Sequence, residues 1–201
     1  MPSALCNLVV AGALLGAVGA VGAAWAAPTN YTVDPVHTSV YFGASHYDST
    51  TVRGRFAKID GRIIYDPATG AGSIDFTVDT DSLDTGNRSL DSVLRSPQFF
   101  DVQNFPVGRF QSNRFVTEGG KLVAVEGTLT LLGVSQPLRL EADRFSCGQT
   151  VLFGISRDVC GGDFHASFAR STFGMKRFLP DVGDNVTLQI AVEATPAGAA
   201  P

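Results

Sequence analysis

Val123-Ala124-Val125-Glu126-Gly127-Thr128-Leu129-Thr130-Leu131 sets Val123, Val125, Leu129 and Leu131 on one parity against Ala124, Glu126, Thr128 and Thr130 on the other. A period of two with one apolar face is the signature of a strand that has a core on one side and water on the other. A turn signal follows at Gly133-Val134-Ser135-Gln136-Pro137, and Leu138-Arg139-Leu140-Glu141-Ala142 resumes the alternation. Upstream, the stretch from Val36 to Ala44 sets Val36, Val40 and Phe42 opposite His37, Ser39 and Tyr41, and Ile74-Asp75-Phe76-Thr77-Val78 repeats the pattern. Downstream it returns from Val186 to Glu193. Further turn signals stand at Asp66-Pro67-Ala68-Thr69-Gly70, Glu118-Gly119-Gly120 and Asp181-Val182-Gly183-Asp184. Many short strands with such turns and no βαβ rhythm predict an all-β sandwich or barrel.

One segment breaks the period. From Asn87 to Ser96, Leu90, Val93 and Leu94 recur at helical spacing, and Ser96-Pro97 ends the run. A single short helix is predicted there, capping one end of the sheet structure. Phe99, Phe100, Phe105 and Phe110 follow it, among 14 phenylalanines in all, which predicts a large apolar interior with few polar handles.

Met1 to Ala26 carries no charged side chain, contains the apolar run from Leu8 to Val18, and ends in Ala23-Ala24-Trp25-Ala26. That is the pattern of a cleaved secretory leader, although its first five residues lack the usual Lys or Arg. Gly12, Gly16, Gly19 and Gly22 dilute the run below what a membrane span requires. The expected organisation is a leader over 1–26, one domain over 27–195 and a flexible tail over 196–201. About 175 residues then remain, enough for one substantial core. Of three cysteines, Cys6 falls in the leader, so Cys147 and Cys160 are expected to pair in a periplasmic or secreted protein. The net charge of −4 with scattered basic residues argues against nucleic acid as a partner.

Catalytic motifs are missing. Gly133-Val134-Ser135-Gln136-Pro137 breaks the G-x-S-x-G elbow at its last position, which leaves Ser135 as a turn residue. His37, His46 and His165 form no i,i+4 pair and no H-E-x-x-H, so no metal centre is expected. Asp79, Asp81 and Asp84 lack the glycine and terminal glutamate of a calcium loop. No Gly-rich phosphate loop opens a helix, and no cofactor is expected.

Several ordered stretches carry a resemblance. These are the segment from Tyr31 to Phe42, with Asp34, His37 and Thr38 in a D-x-x-H-S/T opening, Val52-Arg53-Gly54-Arg55-Phe56, and Leu94-Arg95-Ser96-Pro97-Gln98-Phe99-Phe100-Asp101 with Phe105-Pro106 and Phe110-Gln111-Ser112. The run from Gly127 to Leu138 completes the series. Between Tyr31 and Glu193 the chain resembles the YceI-like family of exported, polyisoprenoid-binding, lipocalin-like proteins. It departs on the helix, reading Leu90-Asp91-Ser92-Val93-Leu94 where the family often has Arg-Asp-x-His-Leu. The resemblance implies an eight-stranded antiparallel barrel with one short helix near its mouth, and a long-chain isoprenoid or similar lipid as partner.

Three functions are then in play: a lipid carrier, a ligand-free envelope module with a filled barrel, and a lipid-directed enzyme using His37 or His165. Energetics favour long cargo for the first. Burial stabilises by about 0.8 kcal/mol per methylene against an association cost of about 4–15 kcal/mol, so chains of twenty or more carbons bind firmly. The third is disfavoured because His37 falls on the parity opposite Val40 and Phe42, and no enzymatic activity is expected. Parity predicts the lining as Val40, Phe42, Phe56, Phe76, Val78, Leu90, Leu94, Phe99, Phe110, Leu129, Phe168 and Val192. A homodimer is compatible with all of this.

Overall fold

The computed structural model describes residues 28–198, so the expected leader and residues 199–201 of the expected tail lie outside it. Its strands are β1 (Thr29–Val33), β2 (Ser39–His46), β3 (Thr50–Phe56), β4 (Ile59–Tyr65), β5 (Gly72–Asp79) and β6 (Leu83–Asp84). Helix α1 (Arg88–Arg95) comes next, then β7 (Val107–Glu118), β8 (Lys121–Leu131), β9 (Val134–Leu152), β10 (Ile155–Ala169) and β11 (Val182–Pro196). One antiparallel sheet joins them, and pairing of β1 with β11 closes it. The segments β1 and β2 are halves of one bent strand, since both pair with β11, and they face β4 and β3, the halves of a second. Counted so, the wall is a closed eight-stranded antiparallel barrel, with one α-helix among the described residues, and β6 leans on the end of β3.

The first bend explains the Asp34-Pro35-Val36-His37-Thr38 stretch. Asp34 Oδ1 accepts from the Val36 amide at 2.8 Å, and Thr38 Oγ1 both donates to the Glu193 carbonyl and accepts from its amide, each at 3.1 Å. The strand expected from Val36 therefore starts only at Ser39, and Val36 is 81% exposed. Turn chemistry at Asp-Pro overrides parity there.

Two turns also fall elsewhere than expected. The β8–β9 connection is Leu132-Gly133, both at positive φ (52° and 71°), the twist that a two-residue hairpin requires. Val134 to Pro137 already pair with Leu131 to Thr128, and Ser135 is a strand residue whose hydroxyl meets that of Thr130 at 2.8 Å. Likewise β11 begins at Val182, inside the predicted Asp181–Asp184 turn, with a bulge before Val186. Helix α1 lies where expected: Asn87 Oδ1 accepts from the Ser89 and Leu90 amides at 3.0 and 3.2 Å, capping its first turn.

Chain direction sorts the connections by end. The β2–β3 turn, α1, the 96–106 segment, Leu132-Gly133 and the 170–181 segment gather at the helix end. The β4–β5 and β7–β8 turns and the β9–β10 tip gather at the other. The outer wall is laced by ion pairs: Arg139 of β9 reaches across to Glu126 of β8 and along its own strand to Glu141, both at 2.6 Å. Cys147 and Cys160, opposite each other on β9 and β10, are disulfide-bonded.

Candidate functional site

Inward-facing side chains leave a cavity of about 530 Å³ along the barrel, within the roughly 300–1,000 Å³ range of small-molecule sites. All twelve residues of the predicted lining border it. Val40, Phe42, Phe56, Phe76, Val78, Phe110, Leu129, Phe168 and Val192 come from the wall, and Leu90, Leu94 and Phe99 from the helix end. The prediction omitted Leu138, Leu140, Phe164, Leu188 and Ile190, which also line the cavity. Parity carried their signal, since Phe164 shares a face with Phe168 and Leu188 and Ile190 with Val192. Met175 and Phe178 come from the irregular 170–181 segment, where no period exists to find them.

The lumen stays open because several of its large rings sit over glycines of the neighbouring strand. A Cβ on Gly54 would stand 2.4 Å from Phe42 Cζ, one on Gly61 2.8 Å from Phe76 Cδ2, and one on Gly72 2.6 Å from Phe115 Cε2. A Cβ on Gly127 would meet Phe110 Cζ at 2.6 Å. Each ring fills the space of a missing side chain instead of reaching toward the axis, the aromatic-on-glycine packing of curved sheets.

Opposite the helix end the lumen is floored by Phe115 and Phe145, and Tyr65 packs against both, its ring centre 5.2 Å from that of Phe145. Burial there pushes the Tyr65 hydroxyl above its ordinary pKa. At the helix end the rim carries Val93 and Phe178, both partly exposed. The helix is fixed by its polar face: Asp91 Oδ1 accepts from the Thr85 amide and hydroxyl at 2.9 and 2.7 Å, and Arg95 donates to the Asp81 and Leu83 carbonyls.

Arg170 holds the other side of that end. Only 3% exposed, it donates from Nε to the Gly183 carbonyl (2.9 Å), from Nη1 to Met175 (2.6 Å) and from Nη2 to Val182 (2.7 Å). It therefore ties the 174–183 segment to the barrel. Burial lowers its pKa and the nearby Asp184 carboxylate opposes the shift.

Among the described residues that line the cavity the ionisable ones are His46, Arg109 and Arg170, and no Ser, Thr, Cys or carboxylate is part of that lining. Arg109 is held by Asp75, Nε to Oδ1 at 2.7 Å. The other two histidines face outward: His165 Nδ1 meets Asp143 at 2.8 Å, and His37 Nδ1 meets Asp34 Oδ2 at 2.7 Å with Glu193 at 3.8 Å. The last three make one carboxylate–histidine cluster on the outer wall, ligand atoms within 4.8 Å of one another.

Against this geometry, a family model of the YceI-like domain matches residues 31–194, all but the edges of the barrel. The chain belongs to the YceI-like family. A UPF0312 protein of Shewanella denitrificans is 30% identical over 167 residues, 82% of this chain and 86% of its own. A Vibrio cholerae UPF0312 protein is 34% identical over 146 residues, 71% of this chain and 72% of its own. Among solved structures, Burkholderia cenocepacia BcnA superposes with a TM-score of 0.70 at 24% identity, covering 81% of this chain and 99% of that one. A YceI-like barrel from Saccharophagus degradans, described as a polyisoprenoid binding domain, superposes at 0.61 with 17% identity, covering 83% and 98%. The eight-stranded fold implied by the resemblance is the fold observed.

Proposed function

We propose that this protein holds one long apolar amphiphile, a polyisoprenoid or isoprenoid quinone, inside its barrel for transport, storage or sequestration in the cell envelope, and that it binds rather than catalyses. The observation that carries this reading is the continuous apolar lumen of about 530 Å³, walled by strands all round the barrel and interrupted by few polar side chains. At about 30 Å³ per water-sized group, that volume takes on the order of eighteen chain atoms. Their burial at about 0.8 kcal/mol each comes to about 14 kcal/mol, which competes with the cost of association only for long chains. The Saccharophagus degradans barrel supports the cargo class. An exported location accords with the leader pattern and with the Cys147–Cys160 disulfide.

A filled barrel acting as an envelope interaction module would need side chains that meet at the axis, and the rings seated on glycine do the opposite. The test is solvent extraction of the protein purified after export, with mass spectrometry of the extract, followed by uptake of an added prenyl quinone. Recovery of a long-chain species at near-unit stoichiometry is expected. Reproducible absence of any such species, together with no quinone uptake, overturns the reading.

A further inference from the structure

The strands β9 and β10 continue past the barrel as a two-stranded ribbon. Pairing of β8 with β9 reaches only Glu141, and β11 reaches Cys160 on β10. Beyond the disulfide the two strands have only each other, from Cys147 opposite Cys160 to Leu152 opposite Ile155. At about 3.3 Å per residue the tip stands about 20 Å from the disulfide. A free two-stranded hairpin is marginal in water, and the Cys147–Cys160 bond staples this one at its base.

The tip is apolar and the neck polar. Gln149, Thr150, Ser156, Arg157 and Asp158 are all exposed on the neck, whereas the end presents Val151, Phe153 and Ile155, respectively 71%, 94% and 58% exposed. Phe153 and Gly154 form the turn, at φ 50° and 80°. Turns of this hand favour Asn or Gly in their first position, so neither local conformation nor burial in the barrel accounts for a phenylalanine there. Ile155 pairs with Leu152, one residue on from Val151. Val151 and Ile155 therefore project from opposite faces of the ribbon while Phe153 occupies its end.

We propose that this tip inserts into the surface of a lipid bilayer and tethers the barrel to it. An apolar cap facing every direction matches an isotropic apolar medium. A protein groove reads one face of a strand, and three apolar side chains fall far short of the roughly 800 Å² per partner that a stable protein interface covers. Two residues on each strand reach about 7 Å deep, in keeping with the depth of about 5–10 Å of interfacial anchors. Arg157 and Asp158 on the neck balance in charge, so insertion does not depend on anionic lipid. Among the described residues no helix is long and apolar enough to cross a membrane. Because the tip and the helix-end rim lie at opposite ends of the barrel, a tethered molecule turns its rim away from the bilayer, toward the aqueous compartment.

The test is co-sedimentation of the protein, purified after export from cells expressing the full chain, with phosphatidylcholine vesicles at low and high salt. Binding that is insensitive to salt is expected, with at least a tenfold lower bound fraction for Phe153→Ser at an unchanged melting midpoint. Phe153→Trp, the lone indole once the leader is removed, is expected to shift its emission to the blue on adding vesicles. Failure of the wild type to sediment, equal sedimentation of Phe153→Ser, an unmoved indole emission or binding that requires anionic lipid each overturns the proposal. A dimer in gel filtration that Phe153→Ser disperses does so too, by naming a second copy as the occupant. Quinone uptake by Phe153→Ser is expected to match the wild type, which keeps this result separate from that of the cavity.

Discussion

Gly54→Ala tests whether the rings seated on glycine keep the lumen open. The new Cβ would lie 2.4 Å from Phe42 Cζ and 2.9 Å from Cε1, and Thr85 Cγ2 at 3.0 Å stops it moving aside. The obstacle is the far end of a side chain, so Phe42 swings into the lumen and the strands stay in register. Overpacking costs about 1–3 kcal/mol, offset by about 0.5–1 kcal/mol from replacing a strand glycine. The net loss is about 0–2.5 kcal/mol, or a fall of less than about 10 °C in melting midpoint for a chain of this size. Binding changes more. A ring of six carbons displaces up to six methylenes of cargo, about 5 kcal/mol at the ceiling and up to about three decades in Kd. Equilibrium dialysis of prenyl quinones of graded length, beside thermal melts, checks both numbers. The longest chains are expected to lose most, and Phe42→Leu added to Gly54→Ala is expected to restore them. Unchanged affinity for long chains despite a lowered melting midpoint would refute the reasoning, because the ring would then have gone somewhere other than the cargo's space.

Ser112→Ala is expected to cost about 1–3 kcal/mol by chemical denaturation, because the Ser112 hydroxyl spans the β7 bulge by donating to the Glu126 carbonyl (2.5 Å) and accepting from the Arg114 amide (3.0 Å). Arg170→Met removes the donors to three carbonyls and is expected to cost on the order of 3 kcal/mol, with faster amide exchange confined first to 174–183. The Asp34–His37 pair raises the imidazole pKa and lowers the carboxyl pKa, chiefly through their mutual hydrogen bond. Its contribution is complete below the ordinary histidine value of about 6.5 and is lost as pH rises through the folded one. On the acid side it is present above the ordinary carboxyl value of about 3.9 and is lost as pH falls through the folded one. An NMR titration is expected to place His37 above its ordinary value and Asp34→Asn to return it; no change in that variant would sever the link.

The wall was legible in the sequence because lumen and water impose opposite demands on alternate residues, and that contrast survives in every long strand from Val123–Leu131 to Val186–Glu193. The corners were less legible. At Val36 the alternation ran on through an Asp-Pro bend, and at Leu132-Gly133 the turn lacks the Asn-Gly pair that announces a two-residue hairpin, so the Gly-to-Pro stretch beyond it drew the assignment. Parity names twelve residues that border the cavity and leaves out others on the same faces. The seating of Phe42 on Gly54 or Phe76 on Gly61 depends on cross-strand register, which composition and period do not contain. Arg170 gave no signal at all, because its partners are backbone carbonyls, Met175 in an irregular segment and Val182 and Gly183 at the bulged start of β11.

The closing seam has a kinetic consequence. The first strand of the barrel meets the last, Tyr31, Thr32 and Val33 of β1 at Pro196, Thr195 and Ala194 and β2 from Ser39 at Ala191 to His46 at Val182, so the contact that turns a curled sheet into a tube joins the two ends of the domain. Non-local pairing of that kind forms late and slowly. Until β11 has been synthesised, the nascent sheet presents an open edge and its apolar concave face together, the combination most prone to aggregation. For this chain, synthesis must reach β11 before the tube can seal, and any chaperone that protects it has to cover the concave face until β11 arrives.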